Sequence, residues 1–213
     1  MILKMKLLPV VRVMLMLLLL SLLTVCCERA ETNRFASVKL EEGDLVFRRG
    51  TGAKSRAVMQ ADSLGIYSHV GIAVRRDESF GVIHVTPGER QKGDTVDRVK
   101  MESLDVFWST ARAVHGAVYR LKDSKTGAMA SSQALRLLDK GILFDHDYLL
   151  NDTTKMYCTE LVWCAYSLAG VDISSGRRSR INMPVFGGMY IFPSDIYLNP
   201  QFESLPEAVR QEL

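Results

Sequence analysis

The fold is decided by the stretch SHVGIAV (residues 68–74), whose composition is typical of a β-strand. Successive side chains of a strand point to opposite faces. Three β-branched residues therefore share one face, which is predicted to be core, while His69 shares the other face with a glycine and an alanine. Those small neighbours predict open space above the sheet beside His69. The stretch GVIHV (residues 81–85) predicts the returning strand, and it carries His84.

The two histidines are predicted to lie on the same face of a hairpin. If the strands turn at Arg76 and Asp77, residues whose numbers sum to 153 lie opposite each other, as His69 and His84 do. Directly opposed side chains on one face have Cβ atoms about 4.5–5.5 Å apart, which allows one imidazole to hydrogen-bond the other. A different turn moves the pair to a diagonal, where long side chains still meet.

Helices and antiparallel strands segregate along the rest of the chain, which favours an α+β fold over alternating βαβ units. Further strands are predicted at 43–47 and 114–121, and a helix at 129–138. A second helix is predicted at 158–169, where Gly170 provides the residue that ends it.

The N-terminus predicts export. A basic start precedes an uncharged run of 13 residues (13–25), shorter than the about 20 residues that span a bilayer. Residues 1–25 therefore read as a signal peptide, with an uncleaved signal anchor as the alternative. The stretch LTVC (residues 23–26) is similar to a bacterial lipobox, which makes Cys26 the candidate lipidation residue, although the neighbouring Cys27 is also available.

The predicted organisation is a signal peptide (1–25), a lipid-anchor cysteine and tether (26–38) and a folded domain (39–213). In this organisation the protein lies in the bacterial cell envelope, periplasmic or membrane-anchored, and contacts the membrane through its lipid. Without the first 25 residues the chain has as many basic as acidic residues, so nothing in its charge favours nucleic acid.

Two cysteines remain in the predicted domain, Cys158 and Cys164. On one helix their Cα atoms lie about 9 Å apart along the axis, beyond the roughly 7 Å that a disulfide spans. A free thiol in an exported protein needs deep burial or a chemical role. At the first turn of a helix, free N–H groups and the helix dipole favour a thiolate, and a nearby imidazolium lowers the thiol pKa further.

Nucleophile, base and orienting group can therefore be assigned to Cys158, His69 and His84. Each residue alone is more often structural, and the hypothesis rests on their combination. Free N–H groups at the start of the helix can also hold an oxyanion.

Several motifs resemble those of the circularly permuted papain-like amidases of the YaeF/YiiX group, relatives of the NlpC-type peptidoglycan hydrolases. In chain order the motifs are GDLVF (43–47), SHVGI (68–72), FDHDY (144–148), YCTELV (157–162) and PSDI (193–196). The histidine precedes the cysteine, as in the permuted group, and the resemblance covers residues 40–197. It implies a circularly permuted papain-like fold in which the nucleophile helix packs on an antiparallel sheet.

The resemblance also implies roles for particular residues. Cys158 is the nucleophile, His69 the general base and acid, and the third polar residue falls at or near His84, where members of the group are expected to carry Glu. A neutral imidazole can still orient His69 by hydrogen bonding, and no metal or organic cofactor is required.

The motif residues Tyr157, Glu160 and Tyr148 are candidate substrate contacts, although Glu160 in the first helical turn also suits a dipole partner. The substrate is expected to be a peptide or N-acyl compound, such as one derived from peptidoglycan. The sequence does not indicate an oligomeric state.

Three functions remain open from the sequence. The first is a cysteine amidase or peptidase acting through a thioester. The second is a lipid ester or thioester hydrolase, or an acyltransferase, favoured by an apolar pocket formed by Val185, Phe186, Met189 and Phe192. The third is a binding lipoprotein with a metal held by Cys158 and the two strand histidines, although no fourth ligand is evident.

Overall fold

The computed structural model describes residues 38–150, 152–181, 188–205 and 209–210. The predicted signal peptide, Cys26, Cys27 and the tether up to residue 37 lie outside the described residues, as do Val185 and Phe186. The described residues belong to one compact unit. No helix within this part of the chain combines the length and apolarity that crossing a membrane requires.

The strands and helices follow the chain in an α+β order. The strands are β1 (Leu45–Arg49), β2 (His69–Arg76), β3 (Ser79–His84), β4 (Lys100–Glu102), β5 (His115–Leu121), β6 (Leu143–Phe144), β7 (Lys155–Met156), β8 (Ser179–Ile181), β9 (Gly188–Tyr190), β10 (Phe202–Ser204) and β11 (Val209–Arg210). The helices are α1 (Ala53–Ala61), α2 (Leu104–Phe107), α3 (Ser124–Asp139), α4 (Cys158–Leu168) and α5 (Pro193–Tyr197).

One antiparallel sheet holds the site. Its strand order is β10-β5-β1-β2-β3-β4, and β11 also pairs with β5. The predicted strands at 43–47, 68–74, 81–85 and 114–121 are confirmed as β1, β2, β3 and β5, and the predicted helix at 158–169 as α4. Gly170 takes a left-handed φ of 91°, which suits the residue that ends a helix.

Helix α3 begins five residues before the predicted start at 129. The carboxylate of Asp123 accepts hydrogen bonds from the backbone N–H groups of Lys125 and Thr126, and this cap lets the helix start at Ser124. Further along the helix, Ala130 and Ala134 lie four residues apart on the same face, and both are in the core.

The sheet is covered on both faces. Helices α3 and α4 pack on the face that carries Val70 and Ile72, and this is the main core. On the opposite face, a smaller core forms where Phe107 and Trp108 cover Ala73. The α+β class is therefore confirmed, with α4 packed on an antiparallel sheet, and the second cover is a feature that strand periodicity did not predict.

The β2–β3 hairpin turns one residue later than the sequence suggested. Asp77 and Glu78 form its two-residue loop, with Asp77 at φ 54°, and residues whose numbers sum to 155 pair. A two-residue hairpin loop needs left-handed φ values, which Asp accepts more readily than Arg. Gly71 thus lies opposite His84, and His69 reaches His84 along the diagonal.

Candidate active site

Cys158 is the first residue of α4. Tyr157 precedes it in an extended conformation (φ −98°, ψ 171°), and the first helical hydrogen bond runs from Leu161 N–H to the Tyr157 carbonyl at 2.9 Å. The first helical N–H groups, which include that of Cys158, have no carbonyl partner within the helix. The sequence-predicted thiol therefore stands where a helix can stabilise negative charge.

The thiol also contacts β2. Strand β3 pairs with β2 only as far as Ile72. Val70 lies beyond that point, and its backbone N–H points to the sulfur of Cys158 instead of to β3. Val70 directly follows His69, so the thiol lies beside the residue that follows this histidine in β2, while the His69 ring itself packs against Phe107.

Burial dominates the thiol's chemistry at rest. It raises the pKa of Cys158 to about 11, although the N–H groups of Val70 and Thr159 and the charge of Arg48 act to lower it. The expectation of a lowered pKa is therefore wrong for the free protein. Loss of water around the sulfur costs more than the local N–H groups and the helix dipole return.

The two strand histidines are hydrogen-bonded to each other. His69 Nε2 lies 2.9 Å from His84 Nδ1, and both side chains are buried. The expected open space beside them is instead filled by Phe107, which stacks on His69 with ring centroids 5.5 Å apart and meets His84 edge-on at 5.0 Å. The apolar cover holds both rings in place and keeps water from them.

A glycine permits this approach of the two strands. A Cβ on Gly71 would lie 2.5 Å from Val82 Cγ1, 2.9 Å from the Ile83 carbonyl oxygen and 3.1 Å from His84 Cβ. The glycine beside His69 therefore makes room for the neighbouring strand and for His84, rather than for substrate above the sheet.

A carboxylate lies behind His84. Glu102 Oε2 is 3.0 Å from His84 Nε2, and the same oxygen accepts a hydrogen bond from Arg112 Nη1 at 2.7 Å. Lys100 Nζ donates to the other oxygen, Oε1, at 2.6 Å. A carboxylate, which members of the group are expected to carry at the third position, is present in this chain behind His84, one hydrogen bond further from His69.

A second carboxylate, Glu89, joins the same charge cluster without contacting His84. Its Oε1 pairs with Arg48 Nη2 at 2.5 Å, and its Oε2 lies 3.2 Å from Arg112 Nη1. Arg48 also donates to the Phe107 carbonyl at 2.8 Å, and its guanidinium lies 4.7 Å from the Phe107 ring centroid. Three cations and two carboxylates therefore surround the histidine pair.

This environment keeps both imidazoles neutral. Burial, together with the nearby cations of the cluster, lowers the pKa of His69 well below its ordinary value. Burial also lowers the pKa of His84 to about 4, although the hydrogen bond to Glu102 acts in the opposite direction. For Glu102 burial acts to raise the pKa, but the hydrogen bonds from His84 and Lys100 prevail and lower it to about 2. Near neutral pH the carboxylate is charged and the histidines are not.

The three motif residues proposed as substrate contacts have different surroundings. Tyr157 is buried, and its hydroxyl accepts a hydrogen bond from the Ile191 N–H at 3.1 Å. Glu160 is buried in the first turn of α4. Tyr148 is half-buried, and burial raises its pKa to about 12, with Cys158 acting in the same direction. Tyr148 alone therefore combines exposure with proximity to the thiol, whereas Tyr157 ties α4 to the β9–α5 segment.

The charge cluster was absent from the sequence-based site. Lys100 and Glu102 alternate with apolar residues along β4, a pattern normally typical of a solvent-facing strand edge. Arg48 gave no clear signal either, because it stands beside the exposed Arg49 at the end of β1, although its own side chain is buried. A buried arginine needs a partner of opposite charge, but the sequence does not show which carboxylate provides it.

The metal-site alternative finds little support in the side chains. Among the residues that the structure describes, no group of three or more His, Cys, Asp or Glu is arranged to hold a metal ion. Both ring nitrogens of His84 are engaged, Nδ1 by His69 at 2.9 Å and Nε2 by Glu102 at 3.0 Å, so His84 has no nitrogen left for a metal. These residues do not fit a bound metal in this arrangement.

The sequence and the fold both match known proteins. Residues 39–182 match the family described as permuted papain-like amidase enzyme, YaeF/YiiX, C92 family. Among solved structures, the fold is similar to that of metalloprotein yiiX from Escherichia coli O157:H7, at 19% sequence identity and a TM-score of 0.64, covering 80% of this chain and 98% of that chain. No curated protein matches the sequence. The family match spans well over half of the chain, and the structural likeness supports the same fold.

Proposed function

The chain belongs to the permuted papain-like amidases of the YaeF/YiiX group, a family of cysteine amidases and peptidases, and from this membership we propose an exported hydrolase that cleaves an amide bond through a thioester at Cys158. The observation that carries the proposal is the 2.9 Å hydrogen bond that engages Nε2 of His69. It leaves Nδ1 of His69, and not Nε2, as the ring nitrogen available to act as the base, on the strand whose next N–H contacts the thiol.

The reaction begins from a neutral thiol and a neutral imidazole. As the Cys158 sulfur bonds to the substrate carbonyl carbon, the thiol proton moves to His69 Nδ1 and the carbonyl π electrons move onto oxygen. N–H groups at the start of α4 that lack a carbonyl partner within the helix stabilise that oxyanion. The C–N bond then breaks, the proton passes from Nδ1 to the leaving amine, and a thioester remains.

Hydrolysis of the thioester repeats the same proton path. Water attacks the thioester carbonyl while His69 Nδ1 accepts its proton, and the C–S bond breaks to release a carboxylic acid. The proton returns to the sulfur, so the enzyme ends as it began. His84 holds the His69 ring in one orientation throughout, because its bond to Nε2 persists in each step.

Trapping of the covalent intermediate tests this chemistry. The purified full chain is mixed, in separate samples, with peptidoglycan fragments, N-acyl amino acids or lipid esters. Each sample is quenched in acid, and the mass of the protein is measured by mass spectrometry. We expect an acyl adduct on Cys158 from an amide substrate, absent in Cys158→Ala and strongly reduced in His69→Ala. Cys164→Ala is the matched control, because it removes the other thiol of the domain and should leave the adduct intact.

The alternatives give different outcomes in the same experiment. Adducts from lipid esters alone would support the lipid hydrolase or acyltransferase, whose predicted pocket includes the exposed Met189 and the buried Phe192. An amide adduct that persists in Cys158→Ala would refute the assigned nucleophile. Stoichiometric zinc in purified protein, lost in Cys158→Ser, would instead support the metal-binding alternative.

The proposal includes export and a lipid anchor at Cys26. Metabolic labelling with a radioactive fatty acid in a bacterial host is expected to label the wild type and Cys27→Ala, but not Cys26→Ala. Label retained in Cys26→Ala and lost in Cys27→Ala would move the anchor by one residue. An unlabelled protein found in the cytoplasmic fraction would contradict both export and the membrane contact.

A further inference from the structure

Glu102 receives more hydrogen bonds than its position at a strand end explains. Three donors converge on its two oxygens: Lys100 on Oε1, and Arg112 and His84 on Oε2. The carboxylate is nearly enclosed, with a side chain 10% exposed. Such an arrangement holds one acceptor group fixed behind the histidine pair.

The charge state of Glu102 decides what it can do. Lys100 and Arg112 provide two positive neighbours, while Glu89 lies beyond them and meets the same two cations. The hydrogen bonds from His84 and Lys100 outweigh burial and keep its pKa far below neutral. An ionised carboxylate has lone pairs and no proton, so it can only accept hydrogen bonds.

The position of the protons follows step by step. Because Glu102 only accepts, His84 must donate from Nε2. A neutral imidazole carries one proton, so Nδ1 of His84 is bare and can only accept. Its partner at 2.9 Å, Nε2 of His69, must therefore be the donor in that bond. His69 is also neutral, so its remaining nitrogen, Nδ1, has a free lone pair.

We propose that Glu102 is a positioning residue that fixes the tautomers of both histidines, so that the lone pair of the base lies on Nδ1 of His69. The role of that atom in accepting the thiol proton rests on the function proposed above. Without the carboxylate, the imidazole pair can also bond in the reverse direction, with His84 Nδ1 donating to His69 Nε2. His69 then carries its proton on Nδ1 and has no lone pair for the thiol.

A matched control separates this role from general electrostatics. Glu89 belongs to the same cluster, pairs with Arg48 and lies near Lys100 and Arg112, but it makes no contact with His84. Glu89→Gln and Glu102→Gln remove the same charge from the same cluster. Only Glu102→Gln also changes the group that accepts from His84.

Long-range ¹H–¹⁵N NMR of the full chain, labelled in histidine, measures the tautomers directly. The chain has only four histidines, and the His84→Gln variant assigns one of the two signals of interest. We expect the wild type at neutral pH to show protons on Nε2 of both His69 and His84. In Glu102→Gln we expect a second tautomer for both rings, whereas Glu89→Gln should keep the wild-type pattern.

Adduct formation on Cys158 provides the functional readout. We expect Glu102→Gln to slow it by about 10- to 100-fold, up to the lower limit of what a positioned general base contributes. Glu89→Gln should change it much less, because it leaves the carboxylate that accepts from His84 in place. Glu102→Asp keeps the charge but withdraws it by one methylene. It should preserve the tautomer pattern better than Glu102→Gln.

The outcomes distinguish this inference from the proposed function. A proton on Nδ1 of either ring in the wild type overturns the inference, even if an adduct forms, and requires no variant to fold. An unchanged tautomer pattern in folded Glu102→Gln also overturns it. If both rings carry Nε2 protons and Glu102→Gln disturbs them, but no substrate ever acylates Cys158, the proposed function fails and the positioning role stands.

Discussion

Alkylation of Cys158 by iodoacetamide is expected to be slow near neutral pH and to accelerate steadily as the pH rises. Burial raises the thiol pKa from an ordinary 9.0 to about 11. That difference lowers the thiolate fraction near neutral pH by about 100-fold. A more basic thiolate is a better nucleophile, which recovers about eightfold. The net expectation is a rate roughly tenfold below that of the same residue in the unfolded chain.

The assay compares one residue in two states of one protein. The full chain is alkylated over a range from about pH 6 to about pH 10, both native and unfolded in urea, and peptide mass spectrometry quantifies the label at Cys158. The native rate should rise about tenfold per pH unit across the whole range, since the thiolate remains the minor form. The unfolded rate should level off near its ordinary pKa. Cys164, measured in the same samples, controls for reagent and time.

One result would refute the reasoning behind the neutral resting state. A native rate that is already constant below about pH 7, and that becomes pH-dependent in His69→Ala, would mean a preformed thiolate and imidazolium. The helix N-terminus and the Val70 N–H would then outweigh burial. The order of events proposed for the first step, in which proton transfer accompanies bond formation, would be wrong.

Three further predictions concern stability. Because burial lowers the His84 pKa from 6.5 to about 4, the unfolded state gains a proton at His84 first as the pH falls, and His84 alone should contribute a loss of about 3 kcal/mol of unfolding free energy between those two pH values. His69, whose pKa is also lowered, should add to this loss. Urea unfolding of His84→Gln should therefore depend less steeply on pH, and a folded variant with the same slope would contradict this. Gly71→Ala should destabilise the folded protein by about 1–3 kcal/mol in thermal unfolding, because the new Cβ would lie 2.5 Å from Val82. As the control, a Cβ at Gly52 would have no atom within 4 Å, so Gly52→Ala should change the stability little. Tyr166→Phe removes a buried hydroxyl that donates to a main-chain carbonyl at 2.5 Å and should cost about 1–2 kcal/mol in urea unfolding; an unchanged midpoint would show that the bond adds no net stability.

Strand periodicity predicted more of the site than any single motif did. Alternation alone placed His69 and His84 on one face of two neighbouring strands, and in the structure Nε2 of His69 lies 2.9 Å from Nδ1 of His84. The exact pairing could not follow from the sequence, because a hairpin's register depends on which residues accept the left-handed turn. A shift from directly opposed to diagonal neighbours preserved the contact only because imidazole rings are long enough to reach.

The partners of the histidines were much harder to predict. Lys100 and Glu102 look like the polar side of an edge strand, since a single sequence cannot show what covers that side. The cover comes from Phe107 and Trp108, which follow in the chain but fold back over the sheet. Their packing turns a polar edge into a buried hydrogen-bonded cluster.

The sequence by itself determined the α+β class, the strands that carry the histidines and the helix that begins at Cys158, because side-chain periodicity and helix-ending residues act over short distances along the chain. Only the tertiary structure decided the connection of His84 to Glu102 and the raised pKa of the thiol. Both depend on the removal of water by segments distant in sequence. Desolvation belongs to the packed molecule as a whole, and no local pattern of residues encodes it.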